Sequence, residues 1–107
     1  MEHRKHQRYQ FHCEIWFPGK EKSVAGTVSD LSMGGCKVGS PTPVDTGTYL
    51  ELRIYFTRES KFPMKVDLAK VRWAMERAFG LEFIRMQPEE QARLRRVVTA
   101  LETRPSH

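Results

Sequence analysis

Apolar and polar positions alternate through most of this chain. Phe11, Cys13, Ile15 and Phe17 are interleaved with His12, Glu14 and Trp16, a period of two that predicts a strand with one face on a core. Pro18-Gly19 ends it. Ser23 to Asp30, with small and β-branched residues such as Val24, Thr27 and Val28, reads as a strand returning antiparallel to the first. Gly34-Gly35 interrupts the pattern, Cys36-Lys37-Val38 resumes it, and Ser40-Pro41-Thr42-Pro43 can only be loop, completed by the turn Asp45-Thr46-Gly47. From Tyr49 to Thr57 the alternation is clean, with Leu50, Leu52, Ile54 and Phe56 opposed to Glu51 and Arg53. A charged turn, Arg58 to Pro63, follows. Met64, Val66 and Leu68 then hold one parity while Val71, Trp73 and Met75 hold the other, which predicts a bulge near Ala69-Lys70 or a bend between two strands. Phe79, Leu81 and Phe83 alternate with Gly80 and Glu82 in a last strand, about the sixth.

The grammar changes at Gln87-Pro88-Glu89-Glu90, where proline suits a first helical turn and two carboxylates suit the positive end of a helix. Leu94, Val97, Val98 and Leu101 recur at helical spacing and form a stripe that must dock, with Arg93, Arg95 and Arg96 facing away. Short strands without intervening helices predict a mostly β fold: a small six-stranded antiparallel β-barrel with a C-terminal α-helix packed on it. The expected organisation is a flexible basic arm over residues 1–9, a barrel over 10–86 and the helix over 87–103.

With 107 residues, 39% of them hydrophobic, the chain builds one core and has no room for a catalytic domain beside a binding domain. Its apolar runs fall far short of the ~20 residues that cross a bilayer, and the basic start MEHRKHQRYQ lacks the apolar segment of a secretory signal, so a cytoplasmic protein is expected. Cys13 and Cys36 sit in apolar contexts that suit buried thiols. The 18 Lys plus Arg against 13 Asp plus Glu, a net charge of +5, favour an anionic partner. Catalytic grammar is missing: there is no HExxH, GxSxG, P-loop or GxGxxG, and His3, His6, His12 and His107 have no metal-ligand spacing. Neither an enzyme nor a metal or cofactor site is expected.

Two clusters remain. Arg4-Lys5-His6-Gln7-Arg8 sets two arginines four apart ahead of the first strand; a guanidinium forks onto a phosphate or the O6/N7 edge of guanine and stacks on a base. Asp30-Leu31-Ser32-Met33-Gly34-Gly35 brings a carboxylate able to accept from guanine N1 and N2, a hydroxyl able to donate to a phosphate, and glycines that let a ligand approach the backbone. Taken singly, the first is a solvated tail and the second a tight Asx or Ser turn. Together, Arg-x-x-x-Arg (Arg4, Arg8) followed by Asp-x-Ser-x-x-Gly (Asp30, Ser32, Gly35) resembles the signature of PilZ domains, bacterial receptors for cyclic di-GMP. Gly80-Leu81-Glu82-Phe83 also resembles the glycine-containing last strand of that family.

The resemblance implies a six-stranded barrel with a C-terminal helix, and a site in which Arg4 and Arg8 wrap phosphates and guanine Hoogsteen edges while Asp30 and Ser32 form the floor that Gly35 keeps open. The arm orders on binding and signals to a downstream protein that the sequence does not name. Family members that take up a stacked ligand dimer carry an additional arginine just before the first motif arginine; His3 stands there, so one ligand per domain is expected. Two other function classes compete. One is a protein-interaction adaptor without ligand. The other is a barrel for single-stranded nucleic acid, with Tyr9, Trp16, Tyr49, Tyr55 and Trp73 as stacking groups, although core or strand-pair packing explains most of these. The intact five positions argue against the adaptor, and neither a nucleic-acid polymer nor a membrane is expected as a partner.

Overall fold

The computed structural model describes residues 6–19, 21–57 and 61–104. Six strands follow in order, β1 (Tyr9–Pro18), β2 (Ser23–Ser32), β3 (Gly35–Gly39), β4 (Tyr49–Tyr55), β5 (Met64–Ala74) and β6 (Ala78–Arg85), and then one helix, α1 (Pro88–Thr103). The strands close into a barrel in the order β1-β2-β3-β6-β5-β4, every neighbouring pair antiparallel. Closure by β4 on β1 removes the free edges that an open sheet of this size would expose.

The alternation read from sequence faces the expected way. Ile15 and Phe17 from β1, Val28 and Leu31 from β2, Leu52 and Ile54 from β4, and Phe79 and Leu81 from β6 are buried in one interior. The Phe17 and Phe79 rings meet edge to face there, centroids 5.3 Å apart. Cys36 is buried and Cys13 half-buried.

The parity slip in β5 is a bulge within one strand, between Leu68 and Ala69 in the pairing with β6, rather than a bend between two strands. A second register shift, between Val71 and Trp73, has no counterpart in the apolar pattern. It reverses the face of Trp73. Val71 remains in the core opposite Leu81, whereas Trp73 pairs with Gly80, whose chain neighbours Phe79 and Leu81 both point inward. Residues directly opposite in an antiparallel pair share a face, so Trp73 lies on the outside of the barrel and does not continue the inward series.

Helix α1 begins with Pro88 at its first turn and Glu89 and Glu90 beside it. Its start is tied to β5 from outside: the Gln87 amide donates to Asp67 at 2.9 Å, and the Glu90 carboxylate accepts from the Lys65 backbone N–H at 3.2 Å. Leu94, Val98 and Leu101 are buried against the barrel, with contacts to β5 and β1. Arg95 and Arg96 are exposed as expected, but Arg93 is partly buried, its guanidinium 5.8 Å from the centre of the Phe56 ring. At the other end Arg104 donates to the Gln10 carbonyl at 2.8 Å, and Glu102 accepts from the Tyr9 hydroxyl. Among the described residues no helix is long and apolar enough to cross a membrane.

Candidate ligand-binding groove

β2 and β3 are joined by the turn at Met33-Gly34, and the segment preceding β1 lies across it. A Cβ on Gly34 would stand 2.7 Å from the His6 ring, so the glycine is what admits the imidazole. Two residues later Arg8 Nη1 donates to Asp30 Oδ1 at 2.7 Å, joining side chains 22 positions apart. Both remain about one-third exposed, 34% and 27%. The first and second sequence clusters therefore meet in space. Arg4 and His3 lie outside the described residues.

Ser32 is buried. Its hydroxyl accepts from the backbone N–H groups of Gly34 and Gly35, both at 3.1 Å, and donates to the Gly35 carbonyl at 3.3 Å. One proton and two lone pairs are all that a serine hydroxyl offers. None is left for a phosphate, so the turn, and not direct donation to a ligand, is what this hydroxyl serves here. Gly35 has a similarly local duty: a Cβ there would fall 2.0 Å from the Leu81 carbonyl oxygen, inside the β3–β6 pairing and not on an open floor.

A groove of ≈ 850 Å³ runs from this turn across the outer wall. Its base is a single transverse row in register, Gln10 on β1, Asp30 on β2, Lys37 on β3, Gly80 on β6 and Trp73 on β5. The Trp73 indole occupies the space a side chain at Gly80 would need, with Nε1 2.1 Å from where that Cβ would be. Arg72 and Glu82, 3.5 Å apart, border the same groove. Sequence reasoning did not connect Lys37, Arg72, Trp73 and Gly80 with the site. The available signal was Gly80 itself, since a glycine inside an alternating strand marks a close approach.

A second depression, ≈ 890 Å³, lies over His12, Glu14, Trp16, Thr27 and Tyr55. Among the described residues no lysine or arginine lines it, and the Glu14 carboxylate is engaged by the Trp16 indole N–H. The first groove, with Arg8, Lys37 and Arg72, is the one whose electrostatics suit an anion. Of the five aromatics with stacking potential, only Tyr9 and Trp73 line it. Tyr49 lies elsewhere and stays half exposed, with Lys70 Nζ 5.6 Å from its ring centre.

Neither thiol is poised for chemistry. Burial pushes the Cys13 thiol up to about 12 and raises Cys36 further, with Cys13 and Asp30 adding to the effect. No group of three metal-ligating side chains stands together among the described residues.

The fold has close structural relatives. The Bacillus subtilis inhibitor of motility (MotI/DgrA) superposes with a TM-score of 0.72 at 19% identity, over 98% of this chain and 55% of that one. YcgR from Escherichia coli, solved in complex with c-di-GMP, gives 0.76 at 17% identity, over 92% of this chain and 46% of that one. The PilZ domain of CeSA from a cellulose-synthesizing bacterium gives 0.67 at 20% identity, over 90% and 98% of the two chains. The chain thus spans about half of the first two proteins and nearly the whole of the isolated domain. No curated protein matches the sequence. The profile of the PilZ domain covers residues 2–100, and with the six-stranded barrel and the helix that closes it, this establishes that the chain belongs to the PilZ domain family.

Proposed function

We propose that this domain is a non-enzymatic receptor for cyclic di-GMP, one ligand per domain, held in the groove between the segment before β1 and the β2–β3 turn. The observation that carries the reading is the Arg8–Asp30 ion pair at the mouth of that groove. It supplies a cationic fork and an anionic acceptor side by side, the two complements a guanylate requires. The E. coli YcgR structure, of the same fold, holds c-di-GMP.

Asp30 accepts from guanine N1 and N2, and Arg8 takes a phosphate or the O6/N7 edge; its contact to Asp30 engages one of its five N–H donors. A partly exposed ion pair is worth on the order of 0–1 kcal/mol, so rearranging it for a ligand costs little. Arg4 completes the clamp from upstream. Ser32 and Gly35 shape the turn that aims Asp30. The signal leaves through β1: Tyr9 and Gln10, directly after Arg8, are held by Glu102 and Arg104 at the end of α1, so a rearranged arm shifts the helix that a partner protein reads.

Titration calorimetry tests this. The domain is expected to bind cyclic di-GMP and to ignore single-stranded oligonucleotides; heat from neither, or only a salt-steep response to the polymer, sinks the reading. Arg8→Ala is expected to abolish binding with an unchanged circular dichroism spectrum. Asp30→Ala is expected to cost about 1–3 kcal/mol of guanine recognition. Its measure is the ratio of affinities for cyclic di-GMP and cyclic di-AMP, and an unchanged ratio would contradict the role given to Asp30.

A further inference from the structure

We propose that the second depression, over His12, Glu14, Trp16, Thr27 and Tyr55, is a docking site for an arginine-bearing segment of a partner protein. It goes beyond the dinucleotide reading and does not rest on it: the two hollows draw on different residues of β1, β2 and β3 and have no lining residue in common. Its base is a transverse row in register, Tyr55 on β4, Glu14 on β1, Thr27 on β2 and Gly39 on β3. Trp16 stands on the same outer face, two residues after Glu14 and flanked by buried Ile15 and Phe17. Its indole N–H donates to Glu14 Oε2, which lays the ring beside the acid and leaves Oε1 without a partner among the described residues. Glu14 is exposed and in no ion pair among those residues, while Trp16 and Tyr55 are partly exposed. Charge selects the guest. Two other hollows of this chain, whose net charge is +5, are lined by arginines, Arg8 and Arg72 in the dinucleotide groove and Arg95 and Arg96 on α1. Here a carboxylate stands among aromatic rings, and Arg53, directly across from Trp16, is the nearest cation in register and does not line the hollow. Neighbouring strands stand ~4.8 Å apart, so a cation at Glu14 comes within reach of the Tyr55 and Trp16 rings together. A guanidinium uses every part of this arrangement, because it forks onto a carboxylate and lies flat on an indole or a phenol. One carboxylate is too few for a metal ion. Ala25, across from Trp16, and Gly39 keep the floor low enough for a polypeptide backbone to approach, and tryptophan, tyrosine and arginine are the side chains on which protein interfaces concentrate their binding energy.

The test titrates a peptide of alternating glycine and arginine into the isotope-labelled full chain at neutral pH and physiological salt, and reads the indole N–H resonances of Trp16 and Trp73 by NMR. A peptide of alternating glycine and glutamate is the control. Because the protein is cationic, long-range charge opposes the arginine peptide and favours the acidic one, so a response to the former reports the local site. The Trp16 resonance is expected to shift saturably with the arginine peptide and to ignore the acidic one, while the Trp73 resonance stays in place. Glu14→Gln, a change at an exposed position, is expected to weaken the peptide roughly 2- to 30-fold by the same resonance. Trp16→Ala is expected to weaken it as well, read by anisotropy of a labelled peptide; if that variant does not fold, Glu14→Gln decides. A Trp16 resonance unmoved by the arginine peptide, an equal response to the acidic peptide, or parent-like affinity in Glu14→Gln overturns the assignment. Sedimentation of the parent identifies the remaining occupant: self-association that Glu14→Gln abolishes would make the guest a second copy of this chain and overturn the proposal too. Cyclic di-GMP calorimetry on the same Glu14→Gln protein is expected to match the parent, so this site and the receptor reading fail separately.

Discussion

At Ser32, three hydrogen bonds exhaust one hydroxyl, and all three close the turn that carries Asp30 into the groove. The signature serine is therefore committed to backbone shape. Ser32→Ala leaves two buried or half-buried N–H groups without their acceptor, and the expected cost is about 1–3 kcal/mol, read as a lowered urea midpoint at unchanged slope. A midpoint equal to that of the parent would return the hydroxyl to a role in ligand contact alone. Gly35 is constrained even more tightly, because the atom a side chain would add lands on the Leu81 carbonyl of the neighbouring strand. These two residues are recognisable in the sequence as a motif. Their physical duty is not, since it depends on which strand lies behind them.

Helix α1 shows what an element adds. Its apolar stripe was legible from spacing: of the four residues it names, Leu94, Val98 and Leu101 are buried and Val97 is partly buried. Leu94 is fully buried, so Leu94→Ala is expected to cost about 2–5 kcal/mol, a large share of the 5–15 kcal/mol typical of a whole domain. Thermal unfolding measures it; a loss below 1 kcal/mol would mean that the helix contributes little to the barrel. What spacing did not reveal is the grip of the last turn on Tyr9 and Gln10, or the placement of Arg93 on Phe56. Strand β5 repeats the lesson. Its first bulge reads directly from a change of parity. Its second is masked because a tryptophan looks apolar whichever face it occupies.

Across the whole molecule, closing the barrel buries the Cys36 thiol fully and the Cys13 thiol in part, and this has a measurable consequence. Burial raises Cys13 from 9.0 to about 12 in the folded protein. The folded state thus holds that proton more tightly than the unfolded chain does. The associated stability is complete below pH ~8.5 and is lost as pH climbs from there toward 12. Denaturant midpoints are expected to be flat from this source between pH 6 and 8 and to fall above pH 9, more steeply than in a Cys13→Ala, Cys36→Ala variant. Labelling of the Cys36 thiol at pH 8 should proceed only at the rate of unfolding, and its immediate labelling would refute the burial.

Periodicities of 2 and 3.6 record which side of each element avoids water, so the fold class, the six strands, the helix and its buried stripe were legible in the chain. It also marked Arg8 and Asp30, because few other side chains offer a cationic fork and a guanine-edge acceptor. That these two residues touch, that the Ser32 hydroxyl is already committed, and that Lys37 and Trp73 share their groove emerges from the folded barrel alone. Those facts depend on register between strands distant in sequence and on bulges that shift it by one residue. Register is settled by packing the whole barrel at once, and no local pattern encodes it.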